Sequence, residues 1–128
     1  MNPSDDRLRR HRRGVLVVCA ALWGAALAVT HLPAGCLPRT PASDPVLHGA
    51  GYFFLSVALW LTLWVYGRPR RLRVAIILLA IPIYAAIDEI TQPLVGRHAS
   101  AADWAADVAG VLAALVLCEL IALCRRPR

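Results

Sequence analysis

The sequence predicts an all-α fold: a four-span transmembrane helical bundle with both termini in the cytoplasm. Three observations carry that reading. Hydrophobic residues make up 59% of the 128-residue chain, well above the share in soluble domains. Four apolar windows, at 14–32, 46–66, 74–95 and 105–124, each approach the roughly 20 residues that a helix needs to cross a hydrocarbon core about 30 Å thick. The basic residues are all arginine, and they alternate with each crossing. They cluster before the first window (Arg7, Arg9, Arg10, Arg12, Arg13), in the 67–73 turn (Arg68, Arg70, Arg71, Arg73) and at the C-terminus (Arg125, Arg126, Arg128). Only Arg39 and Arg97 fall in the other two loops. By the positive-inside rule both termini and the 67–73 turn are expected in the cytoplasm, loops 33–45 and 96–104 outside, and the chain in the cell's inner membrane. The formal net charge of +6 therefore does not point to nucleic acid, because its arginines flank apolar spans and do not line one soluble face.

At this length the chain is one domain at most: a basic cytoplasmic tail (1–13), a membrane domain (14–124) and a basic end (125–128). The tail, "MNPSDDRLRRHRR", reads as a disordered or interfacial segment. The first window, about 19 residues long, exceeds the 7–15 of a signal-peptide core and so reads as a span. The loop after it carries Pro33, Pro38 and Pro41 and cannot be a continuous helix. It ends in Ser43-Asp44-Pro45, an N-cap followed by proline in the first turn, so the second span should start near Pro45. The 67–73 turn is short, which makes spans two and three antiparallel neighbours. Pro82 is expected to kink the third span and Pro93 to end it. In "GRHASAAD", Ser100 and Asp103 compete to cap the fourth span. Cys19, Cys36, Cys118 and Cys124 imply neither a disulfide framework nor a zinc motif, and are expected as small buried apolar residues.

The segment 85–110, "AAIDEITQPLVGRHASAADWAADVAG", departs from this apolar background. At about 100° per residue, Asp88 and Gln92 share one helix stripe, and Glu89 lies next to it. His48 and Tyr52 are one turn apart near the outer end of span two, as are Asp103 and Asp107 at the start of span four. With Arg97 and Ser100, these residues all belong to the outer half of the membrane or its loop. Their convergence on one site is the expectation. A charge in mid-span costs about 2.5–3.5 kcal/mol, so the Asp88-Glu89 pair needs partners, for which Arg97, His48 and the Tyr52 hydroxyl are the candidates. Asp103 is also readable as a plain helix cap, and His31, His98, His11 and Glu119 as peripheral. A metal held by His48 and the acids is conceivable, yet no ligand spacing demands one, and no cofactor is expected.

Taken in order, these residues resemble the VanZ-like family of small bacterial membrane proteins over residues 44–110. "DPVLHGAGY" supplies Asp44, His48 and Tyr52, with Pro45 where the family usually has lysine. "DEITQPLVGRHASAAD" supplies Asp88, Glu89, Gln92, Gly96, Arg97, Ser100 and Asp103. "DWAADVAG" has Asp107 where the family commonly has asparagine. The resemblance implies an integral membrane protein, in a family named for a member associated with low-level teicoplanin resistance. It implies no particular reaction.

Three functions stay open on these residues. A binding factor would use the site for an envelope lipid, a glycopeptide or a protein partner. An enzyme acting on a lipid-linked cell-wall precursor would use Asp88 or Glu89 as general acid or base, His48 as proton shuttle, and Arg97 on a phosphate or carboxylate. A small transporter or proton relay would require copies to associate as a homo-oligomer, and would need polar positions on through the bundle, where only Glu119 stands.

Overall fold

The computed structural model describes residues 3–33, 36 and 43–125. Arg39, Arg126, Arg128 and most of the proline-rich loop lie outside the described residues. The chain forms four helices: α1 (Pro3–Thr30), α2 (Asp44–Val65), α3 (Arg70–Thr91) and α4 (Ala101–Cys124). A single 3-10 turn (Gln92–Val95) prolongs α3. All four helices are long and apolar enough to cross a membrane.

Each boundary has a local cause. α1 begins well before the apolar window, so the tail is not disordered from Pro3 onward but forms the first third of a 28-residue helix. Asp5 and Asp6 occupy its first turn, next to the positive end of the helix dipole, and arginine is a good helix former. α2 starts at the predicted place, with Ser43 extended as N-cap and Pro45 in the first turn. It ends at Gly67, whose φ of +71° is the left-handed conformation that glycine adopts without a Cβ penalty. The Gly67 and Arg68 N–H groups there bond back to the Trp64 and Leu63 carbonyls, closing the helix end, and Pro69 opens α3. α3 runs through Pro82 unbroken. It stops as an α-helix at Thr91, where Pro93 enters the 3-10 turn, and Gly96 (φ +77°) reverses the chain toward α4.

α2 and α4 form the most extensive helix pair, packed at their glycines. A Cβ at Gly110 would run into the Gly49 carbonyl and the Phe53 N–H, and a Cβ at Gly49 would lie 3.0 Å from the Ala106 carbonyl oxygen. Small residues allow helix backbones this close approach in an apolar solvent. The buried stripes are periodic: His48, Tyr52, Leu55, Ser56 and Trp60 on α2; Arg73, Ile77, Ile81, Ala85, Asp88 and Glu89 on α3; Asp103, Asp107, Val111, Ala114, Leu115, Cys118 and Glu119 on α4. Each stripe is apolar in the middle and polar toward its ends. The central core joins Tyr52, Trp60, Ile77, Ile81, Ala85, Val111, Leu115 and Cys118.

α1 lies along the outside of this trio. Arg12 stacks over the Tyr66 ring at 5.8 Å, Trp23 meets Tyr84 edge-on at 5.0 Å, and Thr30 reaches Asp88. Large apolar side chains such as Phe54, Leu79, Ile90, Leu94 and Val116 point outward, as a lipid-facing surface requires. All four cysteines are free; Cys19 and Cys118 are buried, whereas Cys36, in the loop after α1, and Cys124, at the end of α4, are exposed and not the small buried residues expected.

Candidate functional site

The apolar stripes of α2, α3 and α4 all turn polar at the bundle end that holds the start of α2 and the end of α3. There the periodicity aims His48, Glu89, Asp103 and Asp107 at one another. His48 Nδ1 lies 3.2 Å from Asp107 Oδ1, 3.5 Å from Asp107 Oδ2 and 3.4 Å from Glu89 Oε1. Glu89 is held on both oxygens: Gln92 Nε2 donates to Oε1 at 2.9 Å, and the Ser100 backbone N–H donates to Oε2 at 2.8 Å. The competition for the α4 cap is settled in favour of Ser100, whose hydroxyl accepts from the Asp103 N–H at 3.2 Å. The Asp103 carboxylate is therefore not spent on capping and turns into the cluster.

One pair separates. Asp88 and Glu89 are adjacent and so about 100° apart around α3. Glu89 faces α2 and α4, whereas Asp88 faces α1. Thr30 Oγ1 donates to Asp88 Oδ1 at 2.8 Å, and His31 Nδ1 stands 3.5 Å from the same oxygen. The His31 Nε2 is 3.0 Å from Thr91 Oγ1, so this histidine links α1 to α3. The expected single site is thus a central cluster plus an adjoining α1–α3 cluster. Thr30 and Thr91 are not among the residues expected at the site, and His31 was expected to be peripheral. Their signal was available, since Thr30-His31 ends the first span on the same side as the acids.

Two expected compensators do not act as expected. Arg97 Nη1 donates to the Thr30 carbonyl at 3.2 Å, tying the loop to α1, and among the described residues no arginine pairs with Asp88, Glu89, Asp103 or Asp107. Tyr52 is buried in the core beside Tyr84, ring centroids 6.4 Å apart, and makes no hydrogen bond among the described residues. The four carboxylates therefore face two histidines and neutral donors. Asp88 Oδ2, Asp103 Oδ1 and Asp107 Oδ1 are buried with no hydrogen-bond partner. Uncompensated buried charge is costly, and such orphans mark places where a ligand, ion or proton belongs. His48, Glu89 and Asp103 offer ligand atoms within 4.8 Å of one another.

The opposite end carries a different arrangement. Glu119 accepts from Trp60 Nε1 at 2.9 Å, from Arg70 Nε at 2.7 Å and from Arg73 Nη2 at 3.4 Å, while Arg73 also lies over the Trp60 ring. These are paired charges that clamp α2, α3 and α4 together, beside a shallow cavity lined by Trp64, Arg70, Arg73 and Arg125. Glu119, read as peripheral from the sequence, is buried here. It is an anchored ion-pair partner, and the buried residues between the two ends are mainly apolar.

Fold and site together define a class: an all-α chain of four candidate membrane-spanning helices with a carboxylate-histidine cluster buried at one end of the bundle. No family model, curated protein or solved structure matches the chain.

Proposed function

We propose that the chain is a VanZ-like inner-membrane protein, with both termini cytoplasmic, whose cluster lies on the outer side and binds an envelope lipid, a glycopeptide or a protein partner. The observation that carries this reading is the meeting of His48, Glu89, Asp103 and Asp107 from three helices, with the buried Asp103 Oδ1 left without a hydrogen-bond partner. A polar group this costly in a span marks a functional site more readily than a packing contact does. The proposed activity is a role in the cell envelope or in teicoplanin-type resistance. Asp88→Asn and Glu89→Gln, at unchanged protein level, are expected to abolish such a phenotype. Wild-type glycopeptide susceptibility and an unchanged pool of lipid-linked precursors in cells lacking the protein would refute the envelope role.

The orientation has its own test. Cys36 and Cys124 are both exposed and lie near opposite ends of the bundle. A membrane-impermeant maleimide applied to spheroplasts should label Cys36 and spare Cys124; the reverse pattern inverts the topology.

An enzyme acting on a lipid-linked precursor is the second reading, favoured by His48 Nδ1 standing between two carboxylates. If the Asp88→Asn and Glu89→Gln proteins still bind the ligand while the phenotype is lost, the binding-only reading fails and the catalytic one stands.

A further inference from the structure

The contacts around His48 leave a specific shortage of positive charge. Glu89 is 4% exposed, Asp103 8% and Asp107 0%, and the only cationic group facing them among the described residues is one imidazole. That imidazole presents a single nitrogen, Nδ1, to oxygens of both Asp107 and Glu89 at 3.2–3.5 Å. Those separations are long for charge-assisted hydrogen bonds, which run about 2.7–2.9 Å. They suit atoms that share a metal: donors each about 2.0–2.2 Å from one ion stand roughly 3.0–3.5 Å from each other at octahedral or tetrahedral angles. A second observation is independent of these distances. Asp103 Oδ1 is buried with no hydrogen-bond partner, and its side chain belongs to the same group, within 4.8 Å of the His48 and Glu89 ligand atoms.

The geometry points to a divalent cation site in which His48 Nδ1, Glu89 and Asp103 are the ligands, with the Asp107 carboxylate beside it against the same imidazole nitrogen. The donor set selects the ion class. One imidazole nitrogen with carboxylates suits a first-row transition ion such as Mn²⁺ or Zn²⁺, whereas Ca²⁺ takes six to eight oxygens in the usual case. Gln92 Nε2 and the Ser100 N–H already fix the Glu89 carboxylate, as outer partners fix a ligand in metal sites. A cation there offsets the excess of carboxylate charge that no arginine among the described residues reaches. This site does not rest on an envelope role, because the ion binds to residues of the chain alone.

The test uses the full chain in nanodiscs, stripped with a chelator and titrated with Mn²⁺ by electron paramagnetic resonance and with Zn²⁺ by calorimetry, no other ligand present. One saturable site per chain is expected. Asp103→Asn should weaken it on the order of tenfold or more, and Glu119→Gln, at the far end of the bundle, should leave it unchanged. An absence of saturable binding to the wild type, or equal affinity in Asp103→Asn, overturns the site. X-ray absorption of the zinc-loaded wild type covers the case in which the variant fails to fold. A first shell of nitrogen and oxygen at about 2.0–2.2 Å is expected, and a sulfur shell, from Cys36 or Cys124, would overturn the assignment.

Discussion

Gly110→Val is expected to destabilise the bundle by about 3 kcal/mol, the upper end of the usual overpacking range. The added Cβ would enter the space held by the Gly49 carbonyl and the Phe53 N–H, which are backbone atoms and cannot rotate aside. Relief requires moving α2 away from α4, and both helices carry site residues. The cluster should therefore loosen together with the core. Gly51→Ala is the natural comparison, since nothing lies within 4 Å of a Cβ there. Thermal unfolding in detergent micelles, followed by loss of the monodisperse species, separates the two. A Gly110→Val protein that melts with the wild type would mean that the helices do not approach so closely.

Glu89→Ala is expected to be comparably damaging, costing about 3–5 kcal/mol as a buried polar partner removed from others that stay. The Gln92 amide and the Ser100 N–H would both lose their acceptor, and His48 would keep only Asp107. The Ser100 contact also joins the loop to α3, so the start of α4 should fray. Glu89→Gln retains an oxygen for one of these donors and should lie between the wild type and the alanine variant. Unfolding curves in mixed micelles give that order directly, and equal stability of Glu89→Ala and wild type would show that the cluster does not hold the helices together.

Much of the fold was legible in the sequence because its signals are local. Apolar windows located all four helices, Ser43 and Pro45 marked the start of α2, and Pro93 marked the end of α3. The beginning of α1 was not legible, since the polar composition of the tail masked favourable helix chemistry at Asp5 and Asp6. Within the candidate site, His48, Glu89, Gln92, Ser100, Asp103 and Asp107 were legible from spacing and side of the membrane together. The parting of Asp88 from Glu89 was not. It depends on where α1 docks, and α1 buries so little of its surface that no periodic stripe announces the contact. Arg97 was misjudged for a related reason: the left-handed Gly96 sets the direction in which the loop leaves α3, and charge alone does not reveal that direction. The Glu119 clamp was not legible because it joins Arg70 and Arg73 of α3 to a carboxylate of α4, and spacing within one helix does not reveal a contact between two.

The pairing of α2 with α4 across an intervening helix sets a schedule for making this protein. In chain order α2 and α3 come first as a hairpin, yet the Gly49 face of α2 stays without its mate until α4 follows. His48 and Glu89 must wait for Asp107, and the Ser100 N–H that steadies Glu89 arrives only with the last loop. Until α4 is in place, the glycine face of α2 and the ionisable groups of the cluster lack the residues that cover them. Formation of the cluster therefore requires three helices to be present together, and the same residues that form the candidate site also join those helices.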